Sequence, residues 1–124
     1  MLGWLGAEVR RIALTVVWSW AGWRAAWATQ KSLRQWTAAN LISAALALTL
    51  PLTPGERALI LALGILILAA ELLNTAIETA INYISTARHP LAAMAKDCGS
   101  AGVALTAIAA GVAWIVVLWR LAVG

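Results

Sequence analysis

The sequence predicts an all-α membrane protein, and three observations support this class. Of the 124 residues, 63% are hydrophobic and only 11% are charged. The mean hydropathy of +0.86 lies far from the profile of soluble domains. Apolar stretches of about 20 residues, long enough to cross a bilayer, recur along the chain. We therefore expect one membrane domain over residues 1–124, with an N-terminal amphipathic surface helix and three transmembrane helices.

The first predicted element is an interfacial helix over residues 1–31. Cationic side chains are interleaved there with indoles, a mixture typical of helices that lie at the headgroup level of a membrane. The alternative is a charged, irregular cytoplasmic leader. The side chains concerned are Arg10, Arg11, Arg24 and Lys31, and Trp18, Trp20, Trp23 and Trp27.

Three transmembrane helices are expected at residues 33–50, 58–84 and 98–119. Pro51, Pro54 and Gly55 mark a tight turn between the first two. A polar loop and a short charged stretch at residues 96–97 precede the third. Seven of the nine Lys and Arg residues lie in the N-terminal region or in this second loop. The positive-inside rule therefore predicts a multi-pass protein with a cytoplasmic N-terminus.

The second predicted span carries an unusual row of polar residues. Glu71, Asn74, Glu78 and Asn82 are separated by three, four and four residues. At about 100° per residue they share a stripe roughly 80° wide on one helix face. At about 1.5 Å per residue the stripe descends from the cytoplasmic interface, near Glu78 and Asn82, into the cytoplasmic leaflet at Glu71.

Two interpretations of this polar row remain open. An ionisable group in a spanning helix costs roughly 2.5 to 3.5 kcal/mol on insertion scales, so it usually has a partner or a function. The carboxylates can hold helices together by hydrogen bonds. Alternatively, the carboxylate at the interface binds a divalent cation and the deeper one acts as a base toward a lipid hydroxyl.

A candidate phosphate site lies just before the third span. Lys96 can neutralise phosphate, Asp97 can help to hold a metal or a nucleotide, and the glycines at positions 99 and 102 allow close backbone approach. The alternative is a pair of charges that snorkel at a helix start. The sequence contains no GxxxxGK[ST] motif, which excludes a P-loop protein.

These motifs together resemble a known family. The segments ELLNTAIE (71–78) and AKDCGSA (95–101), with SWAGWRAAW (19–27) and LRQ (33–35) upstream, are similar to those of the small prokaryotic integral-membrane kinases that phosphorylate diacylglycerol or undecaprenol. The resemblance covers roughly residues 9–119.

The resemblance implies an activity, an assembly and a set of site residues. Members are homotrimers of the bacterial inner membrane whose active sites form between subunits. They transfer the γ-phosphoryl group of ATP to a lipid hydroxyl at the cytoplasmic interface, with Mg²⁺ and without a nucleic-acid partner. By position, Glu71 is the implied general base and Glu78 the implied metal ligand. The implied nucleotide contacts are Arg11, Ser19, Gln30, Glu78, His89, Lys96 and Asp97, and the implied lipid-substrate contacts are Arg24, Glu71, Asn74 and Ser100.

Three positions depart from the family pattern. Gln30 replaces a second acidic metal ligand, Asn82 an aspartate, and Ala21 a lysine. A neutral Gln30 leaves the number and affinity of bound metal ions open, since Mg²⁺ is typically held through carboxylates and phosphates. The start of the third span favours diacylglycerol as the substrate. Undecaprenol remains an alternative, as does a non-catalytic membrane binding or oligomerisation module.

Overall fold

The computed structural model describes the backbone of residues 1–124 and every side chain except that of Leu2. Within this described chain the regular structure consists of four α-helices and no strand: α1 (Leu2–Thr29), α2 (Lys31–Thr49), α3 (Pro54–Ile84) and α4 (Pro90–Val123). The all-α prediction is confirmed.

A single extended residue separates α1 from α2. Gln30 has φ −103° and ψ 109°, so it ends one helix and begins the next. Its amide N–H donates to the carbonyl of Ala26 at 2.7 Å, and the guanidinium of Arg34 donates to the carbonyl of Trp27 at 2.5 Å. These two bonds fix the bend between the predicted surface helix and α2.

The turn between α2 and α3 follows from its turn and capping residues. Thr53 and Glu56 form a reciprocal capping box at the start of α3, and Pro54 occupies its first turn. Arg57 donates to the carbonyl of Ala47 at 2.8 Å, which satisfies a free carbonyl at the end of α2. Arg120 of α4 makes a bidentate ion pair with Glu56 at 2.6 and 2.7 Å. One end of α2, α3 and α4 is thereby tied together.

The last helix begins earlier than the sequence suggested. We predicted a loop and a charged stretch up to residue 97, whereas α4 begins at Pro90. His89 caps this helix, because its Nδ1 accepts from the amide N–H of Leu91 at 3.1 Å. Proline is well suited to the first turn of a helix, so Pro90 opens α4 instead of belonging to the loop. Lys96 and Asp97 consequently lie on a helix.

The packing is centred on α3. It contacts α4 most extensively and then α2, while α1 makes only sparse contacts with α2 and α3. A small core of Ala47, Leu52, Ile60, Ala113 and Val117 lies at the end where the ion pair sits. Many large apolar side chains on the outer faces of α3 and α4 are exposed, as helices surrounded by lipid or by partner helices require.

Two helices, α3 and α4, are long and apolar enough to cross a membrane. Their most apolar windows have mean hydropathies of 2.2 and 2.3. The predicted first span coincides with α2, whose beginning carries Lys31, Arg34 and Gln35 and which does not reach the same hydropathy. A third span is therefore not confirmed.

Candidate active site

The polar row of the second predicted span lies on one face of α3, with a gradient of burial. Glu71 is only 4% exposed, and among the described side chains it is the one buried charged group. Asn74 and Glu78 are half-buried, and Asn82 is exposed. The row therefore leads from the exposed end of α3 into the protein, and its members share one helix face, as their spacing predicted.

The buried carboxylate is hydrogen-bonded to α2. The hydroxyl of Ser32 donates to Oε1 of Glu71, which provides the partner that a buried charge needs. Ser32 belongs to the first turn of α2, immediately after the extended Gln30. The bend between α1 and α2 thus places a donor beside the middle of α3.

The next two members of the row contact each other and α4. The side-chain amide of Asn74 donates to Oε1 of Glu78 at 3.2 Å, the geometry that a spacing of four residues allows. The amide oxygen of Asn74 is buried and has no hydrogen-bond partner. It lies against Gly99 of α4, where a Cβ atom would be only 2.4 Å away. Gly99 is therefore the residue that lets α4 approach the site.

A cationic side chain, that of Lys96, lies at the exposed end of the row. Lys96 of α4 donates from Nζ to Oδ1 of Asn82 at 2.7 Å. This acceptor is a neutral amide oxygen. Lys96 also borders a cleft of about 510 Å³ with Arg88 and His89. Three cationic or titratable side chains thus surround an open space beside the polar row.

The predicted residues of α1 lie outside this hydrogen-bonded set. Ser19 lines a groove of about 900 Å³ between α1 and α3, opposite Thr75 and Thr79. Arg11 pairs with Glu8 at 2.7 Å on the surface of α1. Arg24 borders a separate cleft among tryptophans. The chain brings Ser19 to the helix that carries the row, but it does not join Arg11 or Arg24 to it.

The structure does not bond the other predicted contacts to the row. Gln30 is half-buried two residues before Ser32, and Asp97 and Ser100 are exposed on α4. Within the described residues no group of three or more His, Cys, Asp or Glu side chains could hold a metal ion. A single carboxylate such as Glu78 still fits Mg²⁺, which is commonly bound through one or two carboxylates together with substrate phosphates.

One contributor to the site, Ser32, is not predicted by the sequence, because one serine among polar residues carries no periodic signal. Gly99 was expected to allow close approach along with Gly102, yet only Gly99 does so within this chain, since nothing lies within 4 Å of a Cβ at Gly102.

Comparisons with known proteins identify the family of this chain. Residues 17–118 match the family described as prokaryotic diacylglycerol kinase. A diacylglycerol kinase of Pseudomonas aeruginosa is 41% identical over 112 residues, which cover 89% of each chain. A diacylglycerol kinase of Escherichia coli strain K12 is 36% identical over 109 residues, covering 88% of this chain and 89% of the relative. The match extends over the helices that carry the polar row and Lys96, and the chain therefore belongs to the prokaryotic diacylglycerol kinase family.

Proposed function

We propose that this chain is an ATP-dependent lipid kinase that transfers the γ-phosphoryl group to the hydroxyl of diacylglycerol and forms phosphatidic acid. The observation that carries the proposal is the buried, hydrogen-bonded Glu71 at the inner end of a polar row, in a chain of this family. The relatives from Pseudomonas aeruginosa and Escherichia coli are both named as diacylglycerol kinases, which favours diacylglycerol over undecaprenol.

The proposed chemistry needs few residues, because phosphoryl transfer depends mainly on positioning and charge stabilisation. Glu71 takes the proton of the lipid hydroxyl as that oxygen forms a bond to the γ-phosphorus. The bond between the γ-phosphorus and the bridging oxygen of ADP breaks in the same step. Lys96, held by the neutral Asn82, stabilises the negative charge on the phosphates.

Glu78 is the proposed protein ligand of Mg²⁺, with the amide oxygen of Gln30 as a neutral contact. When bound, Mg²⁺ supplies charge neutralisation to the phosphate oxygens. The amide of Asn74 occupies one oxygen of Glu78 and so orients the carboxylate. Asp97, His89, Arg11 and Ser19 are proposed nucleotide contacts.

The lipid side of the proposed site uses Asn74, Ser100 and Arg24. We propose that the enzyme works as a homotrimer in the bacterial inner membrane, with the N-terminus in the cytoplasm. In this arrangement α1 is a surface helix, and α2, α3 and α4 are three transmembrane helices. A second subunit would bring its own residues to Arg11 and Arg24, which the single chain leaves apart from the polar row.

Transfer of labelled γ-phosphate tests the proposal. The purified protein is incubated in mixed micelles with labelled ATP and either diacylglycerol or undecaprenol, each with Mg²⁺ or with a chelator. We expect Mg²⁺-dependent labelling of diacylglycerol. Labelling of undecaprenol alone would identify the other branch of the family, and labelling of neither lipid by the folded, assembled protein would favour a non-catalytic module.

A further inference from the structure

Ser32 contacts the proposed base directly, and we propose that it is a positioning residue for Glu71. Its hydroxyl donates to Oε1 of Glu71 and links the first turn of α2 to the middle of α3, 39 residues away in sequence. This inference rests on the proposed function, because it concerns the same carboxylate.

The segment that carries Ser32 is firmly held. Leu33, its neighbour, is fully buried and is the largest side chain with no exposure in the described chain. On the other side, the bend at Gln30 is fixed by the bonds to the carbonyls of Ala26 and Trp27. A hydroxyl on such a frame has a defined position, which is what a residue that orients a catalytic group needs.

The hydrogen bond selects one orientation of the carboxylate. The terminal torsion of a glutamate is broad and nearly two-fold, so the group alone has little orientational preference. The hydroxyl of Ser32 donates a hydrogen bond to Oε1 of Glu71, while among the described groups no donor reaches Oε2. Oε2 is therefore the oxygen that receives the proton of the lipid hydroxyl. The proton of Ser32 stays on its own oxygen throughout the transfer.

The same helix offers a matched control. Ser43 of α2 also makes a hydrogen bond between helices, since its Oγ accepts from Nε1 of Trp114 at 2.9 Å. This bond lies toward the opposite end of α2 from Glu71. Ser43→Ala therefore also removes a serine hydrogen bond between helices, one in which the serine is the acceptor, without touching the base.

The test measures kcat and KM for lipid and for MgATP in Ser32→Ala, Ser32→Thr and Ser43→Ala. We expect Ser32→Ala to lower kcat by about 10- to 100-fold, with both KM values within about twofold of wild type. Ser32→Thr, which keeps the hydroxyl, should restore kcat to within about threefold of wild type. Ser43→Ala should lower the thermal midpoint and leave kcat unchanged.

A double-mutant cycle separates positioning from a general structural role. In a Glu71→Gln background, adding Ser32→Ala should lower the residual single-turnover rate no further, because Ser32 acts only through the carboxylate. If Ser32→Ala lowers the rate of Glu71→Gln by the same factor as it lowers the wild-type rate, the inference is overturned. A wild-type kcat in Ser32→Ala, or a failure of Ser32→Thr to restore it, would also overturn the inference. If wild-type protein labels no lipid, the proposed function fails as well; if it labels lipid and Ser32→Ala does so equally, only this inference fails.

Discussion

Replacing Gly99 by alanine should damage the site, whereas the same change at Gly102 of the same helix should not. The added Cβ would lie 2.4 Å from Oδ1 of Asn74 and 3.4 Å from both Cγ of Asn74 and Cδ1 of Ile77. Ordinary van der Waals contact begins near 3.4 Å, so the atoms must separate by about 1 Å. The amide oxygen of Asn74 is buried at this point.

Either way of making room disturbs the proposed catalytic groups. If Asn74 rotates, Glu78 loses its amide donor; if α4 retreats, Lys96 moves away from Asn82. A displacement of about 1 Å in a catalytic arrangement can lower the rate by about 10²-fold. Overpacking of this kind also destabilises a fold by about 1 to 3 kcal/mol. We therefore expect kcat to fall by about one to two orders of magnitude and the thermal midpoint to drop.

The assay compares Gly99→Ala with Gly102→Ala, which lies on the same helix and places its methyl in open space. Both proteins are purified in detergent, and kcat, KM for MgATP and thermal unfolding are measured. Gly102→Ala should stay within about twofold of wild type in kcat, since it clashes with nothing. Equal activity and stability in the two variants would refute the close approach of α4 to Asn74.

Three other substitutions test separate parts of the structure. Gly64→Ala places a methyl 2.4 Å from Oδ1 of Asn40 and should lower the free energy of unfolding by about 1 to 3 kcal/mol. Thermal unfolding measures this loss, and Gly111→Ala is the control because its Cβ meets nothing within 4 Å. Gln30→Glu adds a carboxylate for the proposed metal and should lower the half-saturating Mg²⁺ concentration by roughly tenfold. An unchanged Mg²⁺ titration would show that residue 30 does not bind the metal ion. Glu56→Gln breaks the ion pair with the arginine of α4 and should lower the thermal midpoint, less so at high salt, with kcat kept.

The sequence predicted the polar row well because helical periodicity determines which side chains share a face. The spacing of Glu71, Asn74 and Glu78 was sufficient to place them together, and the bond between Asn74 and Glu78 confirms it. The burial of Glu71 within the protein did not follow from this spacing, which predicted only the depth of the row in the membrane.

Contacts between helices could not be predicted in the same way. The bond from Ser32 to Glu71 depends on the bend at Gln30 and on how α2 packs against α3, and neither leaves a periodic pattern. The beginning of α4 was misplaced because Pro90 was interpreted as part of a loop, whereas with His89 as the cap it opens the helix. Proline is common both in loops and in the first turn of a helix, so a proline alone does not distinguish the two.

If Glu71 is the base of a lipid kinase, the turnover of Glu71→Gln must be low. Glu56→Gln, the same change in the first turn of α3, controls for loss of a carboxylate on this helix. We expect Glu71→Gln to lose at least about 10²-fold in kcat for phosphorylation of diacylglycerol, while it still assembles and binds MgATP as wild type does. Near-normal turnover in assembled Glu71→Gln would show that Glu71 is not the base.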